Sequence, residues 1–351
     1  MIFKAVSICT PYKQNLSNIL PLKKYGIPIV AIGAVVAEEI KALVDVVVKN
    51  HGELTEYLSA NQITTVIHSE ISVKATDIAY VLKDLGYKNI FIDHGAGLVD
   101  RGPDSKAYYA GIAMFLGIYD SYVVGSEKQK ELYEQLDVKT TIVVLDDLKL
   151  RVFLEEKPSK EKIAEEFGLD LNKRTITLVP TWCTPSKYLS DKVFPQSFLV
   201  IQKKQSLEVI SELVNDYNVI LRPHPNLFIH HQKIMNEFTS IPGIKVDTSP
   251  DAYSGIFISD VVVGDYSSLN YEAVRMGKPV VKINFLRQES LTEDFIEVPS
   301  IEDLHEILKG DLHCSETENP GNIDVVSLLE ESVTPKESLI EEELISGVLG
   351  K

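Results

Sequence analysis

The chain carries thirteen short runs of β-branched and other apolar residues separated by longer amphipathic stretches, and this rhythm restricts it to a layered α/β fold. Seven runs come first, at 3–8, 29–32, 44–48, 64–67, 89–93, 121–124 and 140–145. Six more follow a charged stretch, at 175–179, 218–221, 244–246, 260–263, 280–283 and 295–298. Several, such as Val261-Val262-Val263, are continuous rather than alternating, as expected of strands covered on both faces of a parallel sheet. With 351 residues, 44% of them apolar, the chain can supply two cores. The reading is α/β, with a domain at 1–148, a linker at 149–172 containing Pro158 and a helix-like segment at 160–168, and a second α/β domain at 173–330. A loop is expected at 315–322, and an amphipathic helix within 331–351, free to pack back on the first domain.

Composition narrows the partners. A formal charge of −16 disfavours nucleic acid and general adhesion to anionic lipid, so an anionic ligand must meet a local cluster of donors. Cys9, Cys183 and Cys314 are scattered and lack metal spacing, which suits a reduced intracellular setting. No run approaches the roughly 18 apolar residues of a membrane span, so the expectation is a cytoplasmic protein without a transmembrane segment, with peripheral contact at the inner face of the membrane left open. The sequence has no GxxxxGK[ST] loop, complete GxGxxG, HExxH or CxxC pair. No obligate cofactor and no metal site are expected, and a divalent-ion requirement stays open. His230 and His231 read as surface.

In open α/β sheets ligands bind beyond the carboxyl ends of strands, so the residues just after each run carry the chemistry. His94 leads into Gly95-Ala96-Gly97, a tight turn that leaves an imidazole beside exposed amides and suits a general base, with Asp93 or Asp100 able to orient the ring. Arg222-Pro223-His224-Pro225 fixes a histidine between two prolines. Arg222 can clamp phosphate oxygens in bidentate fashion, and His224 can hand a hydrogen bond or proton to a leaving phosphate. Thr181 and Trp182, the single tryptophan, follow the 175–179 run and can meet a base or sugar, or simply pack. His68 and Arg101 lie where an acceptor would approach, but a lone histidine of this kind is more often structural, and Arg101 reads first as solvated surface.

Residues 259–281 run from a strand through Gly264-Asp265 into Ser267 and Ser268, which open a helix ended by Gly277 and Pro279. Ser267 is the expected N-cap. Helical spacing puts Ser268, Glu272 and Arg275 on an outward face and Leu269, Ala273 and Met276 on a buried one, with Glu272 a candidate for a ribose hydroxyl. Such a turn can cradle a nucleotide diphosphate.

Taken together, His94-Gly95, SYVVGSEKQKELY from Ser121, PTW from Pro180, RPHP from Arg222 and SDVVVGDYSSLNYEA from Ser259 resemble the CDP-glycerol glycerophosphotransferase family of teichoic-acid-type polymerases and primases. The resemblance implies the GT-B architecture, two Rossmann-like domains around a nucleotide cleft. It implies that His94 is the first catalytic histidine, that His224 works at the pyrophosphate, and that Ser267, Ser268 and Asp265 belong to the phosphate-holding signature. It also implies a CDP-activated polyol donor and a lipid-linked or polymeric acceptor. The chain departs from the family in two places: Ala96-Gly97-Leu98-Val99 replaces a Thr-Pro-Leu-Lys-like run, and Cys183 stands where an arginine is common. Arg101 or Lys187 are the cations available to compensate. Two other readings fit the same motifs: a nucleotide-sugar glycosyltransferase or 2-epimerase using a UDP-sugar, and a nucleotide-binding module without activity.

Overall fold

The computed structural model describes residues 5–9, 21–24, 26–33, 41, 43–69, 73–93, 105–136, 138–144, 148–156, 159–183, 197–249, 252–286, 295–310 and 312. The first sheet contains β1 (Ala5–Cys9), β2 (Ile29–Ile32), β3 (Val46–Val48), β4 (Thr65–His68), β5 (Lys88–Ile92), β6 (Ser121–Val124) and β7 (Thr141–Val144), in the order β3-β2-β1-β4-β5-β6-β7. The second contains β8 (Thr175–Val179), β9 (Asn218–Leu221), β10 (Lys245–Val246), β11 (Val261–Gly264), β12 (Val280–Ile283) and β13 (Ile296–Val298), in the order β10-β9-β8-β11-β12-β13. Every pairing in both is parallel. All thirteen expected strands are present, several with an end moved by a residue or two.

Parallel strands need crossovers, and helices supply them. In the first sheet these are α1 (His51–Ala60), α2 (Val73–Asp84), α3 (Ser105–Leu116) and α4 (Glu127–Gln135). Two helices follow before β8: α5 (Leu148–Glu155) and α6 (Lys160–Phe167). The second sheet is served by α7 (Phe198–Ile201), α8 (Lys203–Asp216), α9 (Pro225–His230), α10 (Gln232–Thr239), α11 (Ser254–Ile258), α12 (Leu269–Arg275) and α13 (Leu304–Leu308).

The run at β11 shows how continuous apolar strands fill two cores. Val261 and Val263 join one cluster with Ile176, Leu178, Phe198 and Leu213, while Val262 faces the other way into Ile256, Ala273 and Val280. Successive side chains alternate faces, so an uninterrupted valine run serves both layers. Cys183 lies wholly within the first of these clusters, so the position at which the family commonly has arginine here points into the core. His231 is likewise buried, correcting its reading as surface, whereas His230 is exposed.

The stretch expected as a linker is helical and packed. Ser159 caps α6 by accepting from the Lys162 amide at 3.3 Å, and Gly168, at φ +61°, ends it. Phe153 of α5 meets Tyr253 and Phe257 with ring centroids 5.6 and 5.7 Å apart. At the same end of α5, Glu156 pairs with Lys24 of the first domain at 3.2 Å. The expected loop at 315–322 and helix within 331–351 lie outside the described residues.

Strand order reverses between β1 and β4 in the first sheet and between β8 and β11 in the second. At such a switch point the flanking crossovers run to opposite faces and leave a crevice at the carboxyl ends. The residues after β8, β9 and β11 therefore meet along one edge.

Candidate active site

The serine turn after β11 is shaped by a steric demand. A Cβ at Gly264 would lie 2.1 Å from Asn270 Oδ1 and 2.8 Å from Val179 Cγ2, so only glycine fits. Asn270, almost fully buried against it, donates its side-chain amide to the Asp265 carbonyl at 2.7 Å and closes the turn. Ser267 Oγ accepts from the Leu269 amide at 3.3 Å, but regular helix starts only at Leu269, so the N-cap position falls to Ser268, one residue later than expected. At the far end Gly277, at φ +69°, donates to Val274 and Lys278 to Ala273, a Schellman stop. Glu272 corrects the expected pattern. It is 2% exposed and turned inward with Asn270, Ala273 and Val274, because α12 is covered on a second side, where Arg275 donates to the Gly125 carbonyl of the first domain. The carboxylate is therefore not on the open face that the helical spacing suggested.

Asp265 is also corrected. Its side chain has no exposed surface, and its oxygens accept from the amides of Thr181 at 2.7 Å and Phe198 at 3.0 Å. A carboxylate enclosed in this way does not touch a phosphate; it ties the turn after β8 and the start of α7 to the serine turn. Burial pushes its pKa up to about 7, against the pull of the backbone amides that bond it. Thr181 is thereby fixed through its own amide, and its side chain is buried too.

Arg222 follows β9, where its amide continues the ladder by donating to the Leu178 carbonyl at 2.8 Å. Its Nη1 donates to Asp247 Oδ1 at 3.1 Å, to Ser249 Oγ at 3.1 Å and to the Ser249 carbonyl. The expected uncommitted clamp is therefore an anchored one, with Nε and Nη2 the edge that is not used within the described residues. His224 caps α9, its Nδ1 accepting from the Asn226 amide at 3.2 Å. That bond places the proton of the neutral ring on Nε2, the state able to donate to an anion. Trp182 is half-buried and tilted over His224 at 6.4 Å between ring centroids. Ser267, Ser268, Arg222, His224 and Trp182 thus follow three strands that lie side by side, β9, β8 and β11.

On the first sheet His94 and Arg101 lie outside the described residues, as do Asp100 and Lys187. What precedes His94 is well held. Asp93 Oδ2 accepts from Tyr122 Oη at 2.6 Å and from Gln129 Nε2 at 2.7 Å. His68 takes the structural reading rather than the acceptor-side one: it ends β4 with 2% exposure, its Nε2 bonded to Asn89 Oδ1 at 2.8 Å and its ring edge-on to Tyr119. Burial lowers its pKa to about 4, so it is a neutral core residue and cannot face an acceptor.

Sequence reasoning passed over Lys282. On β12, beside Gly264, this 1%-exposed lysine pairs with Glu297 at 3.4 Å and lies 5.4 Å from the centre of the Tyr266 ring. Tyr266 Oη bonds Asn284 Oδ1 at 3.1 Å, and Asn284 Nδ2 bonds Glu297 Oε2 at 2.8 Å. The residue before the serines is thereby locked. A lysine inside the apolar run Val280-Val281-Lys282-Ile283 was the available signal.

Two expectations follow. Gly264→Ala should cost more than about 2 kcal/mol in urea denaturation because backbone and Asn270 must shift, whereas Gly277→Ala, with open space at its Cβ, should cost only about 1 kcal/mol for its left-handed backbone; equal costs would contradict the steric account. For Asp265 the folded pKa lies above the ordinary 3.8, so its contribution to stability is full below that value and is lost as pH rises towards about 7. Wild type should therefore lose stability relative to Asp265→Asn across that window and hold a constant difference above it. A difference independent of pH would contradict the assignment.

Comparison with known proteins fits this geometry. A poly(glycerol phosphate) teichoic acid polymerase of Bacillus spizizenii is 29% identical over 134 residues, 37% of this chain, and the match spans about a third (32%) of that polymerase's length. The wall teichoic acid polymerase TagF shares the fold at a TM-score of 0.56 and 16% identity, covering 88% of this chain and 79% of that one. A UDP co-structure of MnaA from S. aureus shares it at 0.56 and 9% identity, with 88% of each chain covered. These likenesses, with the two parallel sheets, establish the GT-B architecture. Residues 41–285 match the sequence profile of CDP-glycerol:poly(glycerophosphate) glycerophosphotransferases, and the chain belongs to that family.

Proposed function

We propose that this chain transfers glycerol phosphate, or a related polyol phosphate, from a CDP-activated donor to an acceptor hydroxyl and releases CMP. The observation that carries the reading is the convergence of the serine turn, the Nε2–H tautomer of His224 and Trp182 on one edge of the second sheet, in a chain of this family. A variant of TagF soaked with CDPG has the same fold, at a TM-score of 0.57.

In this reaction the acceptor oxygen gives its proton to His94 and attacks the β-phosphorus. The new P–O bond forms as the bond to the oxygen bridging to the α-phosphate breaks, and that oxygen leaves with CMP. Negative charge grows on the departing CMP and on the equatorial oxygens of the transferring group. His224 meets the first through Nε2–H, and Ser267, Ser268 and the outer edge of Arg222 meet the second. Trp182 offers a face for cytosine or ribose. His224 is held at the backbone by Pro223 and Pro225 and at the ring by the Asn226 amide, so little reorganisation is needed when charge develops. The chemistry draws on no resident cofactor. The acceptor is assigned to a lipid-linked or polymeric hydroxyl reached from the cytoplasmic side, with peripheral membrane contact; no helix among the described residues is long and apolar enough to cross a membrane.

CMP release should occur with CDP-glycerol plus a glycerol-phosphate-primed acceptor and fall by about 100-fold or more in His224→Ala. Calorimetry should show CDP binding more tightly than UDP. Tighter UDP binding with no CMP release would instead favour a sugar-nucleotide enzyme.

A further inference from the structure

The family reading leaves Arg275 without a task, yet it makes a direct bond between the two halves of the molecule. It is the last residue of α12, the helix opened by the serine turn, and its Nη2 donates to the carbonyl of Gly125. Gly125 directly follows β6 of the other sheet. Nη1 of the same guanidinium is buried with no hydrogen-bond partner among the described residues, so the Gly125 contact is what holds the group.

From Gly125 the connection continues. The Gly125 amide donates to Gln129 Oε1 at 3.1 Å, and the other end of that side chain, Nε2, donates to Asp93 Oδ2 at 2.7 Å. Tyr122 Oη bonds the same Asp93 oxygen at 2.6 Å. Ser126 caps α4 by accepting from the Gln129 amide at 3.2 Å, which fixes the helix that presents Gln129. Asp93 directly precedes His94. One unbroken series, Asp93–Gln129–Gly125–Arg275, therefore joins the strand end that leads to the proposed base to the helix that begins at the proposed phosphate turn. At the other end, the left-handed Gly277 stop fixes where α12 terminates. Next to Arg275, Met276 packs against Leu150, Phe153 and Tyr253, so the bond sits where α5 passes between the domains.

We infer that Arg275 is a positioning residue: its bond to Gly125 sets the separation between the end of β5 at Asp93 and the phosphate-holding turn, and Gln129 transmits that register to Asp93. This rests on the transfer reaction proposed above. Bond formation between groups on opposite sides of a cleft depends steeply on their spacing, whereas donor binding, confined to the second sheet, does not. Loss of Arg275 should then spare donor affinity and depress turnover.

The test uses the full chain as wild type, Arg275→Met, which keeps the apolar stem, Arg275→Lys, which keeps one donor, and Gln129→Leu. CDP-glycerol affinity is read by calorimetry, turnover by CMP release with a primed acceptor, and domain closure by the radius of gyration in solution. Arg275→Met should turn over about 100-fold more slowly with CDP-glycerol affinity within about threefold of wild type. Arg275→Lys should recover part of the rate, and Arg275→Met combined with Gln129→Leu should lose little more than the worse single variant. Wild-type turnover in Arg275→Met, a fall in affinity matching the fall in rate, or fully multiplicative losses would each overturn the inference. If wild type releases no CMP from CDP-glycerol, the transfer reading has failed, and the radius of gyration still decides this point: a larger value in Arg275→Met supports the link, and an unchanged one overturns it.

Discussion

The carboxylate of Asp265 is the interaction on which the second domain's working edge depends. It is sealed from water, and it accepts from the amides of Thr181 and Phe198, so the turn after β8, the entry to α7 and the serine turn after β11 meet on one side chain. Hydrogen bonds to an ionised group contribute roughly 1.5–3 kcal/mol each, and leaving such donors unsatisfied in the interior costs a similar amount. The cost of burying the charge shows in its raised pKa. A side chain that would repel phosphate if exposed instead arranges the groups proposed to bind it.

Around that tie the edge is rigid in several independent ways. Asn270 fills the space that Gly264 leaves open, Lys282 and Glu297 hold Tyr266 through Asn284, and Asp247 anchors one nitrogen of Arg222. The supporting residues come from α12, from β12 and its exit, from β13 and from the exit of β10, so the proposed binding groups inherit their positions from the sheet rather than from loop conformation. Preorganised donors of this kind are what phosphoryl transfer needs, since the reaction is catalysed largely by placement and electrostatics.

How far this could be read beforehand differed between scales. The strands were legible because burial on both faces demands unbroken runs such as Val261-Val262-Val263, and the motifs stood out because they follow those runs. The orientation of polar side chains was not legible. Periodicity on α12 put Glu272 outward, but a periodic pattern assumes one buried face, and the first domain covers a second through Gly125 and Arg275. Asp265 entered as a phosphate-signature residue only through the family resemblance, and its pairing with distant backbone amides, like that of His68 with Asn89, is set by tertiary contacts that local sequence does not encode. Lys282 and Gln129 were missed for the same reason, since each acts through a partner far along the chain.

The central claim is that the donor's pyrophosphate lies on the carboxyl edge of the second sheet, and a crystal structure with CDP-glycerol bound tests it most directly. The account predicts β-phosphate oxygens within hydrogen-bonding distance of Ser267 or Ser268 and of His224 Nε2, with the cytidine against Trp182. A pyrophosphate bound instead at the carboxyl edge of the first sheet, or one leaving Ser267, Ser268 and His224 untouched, would contradict it.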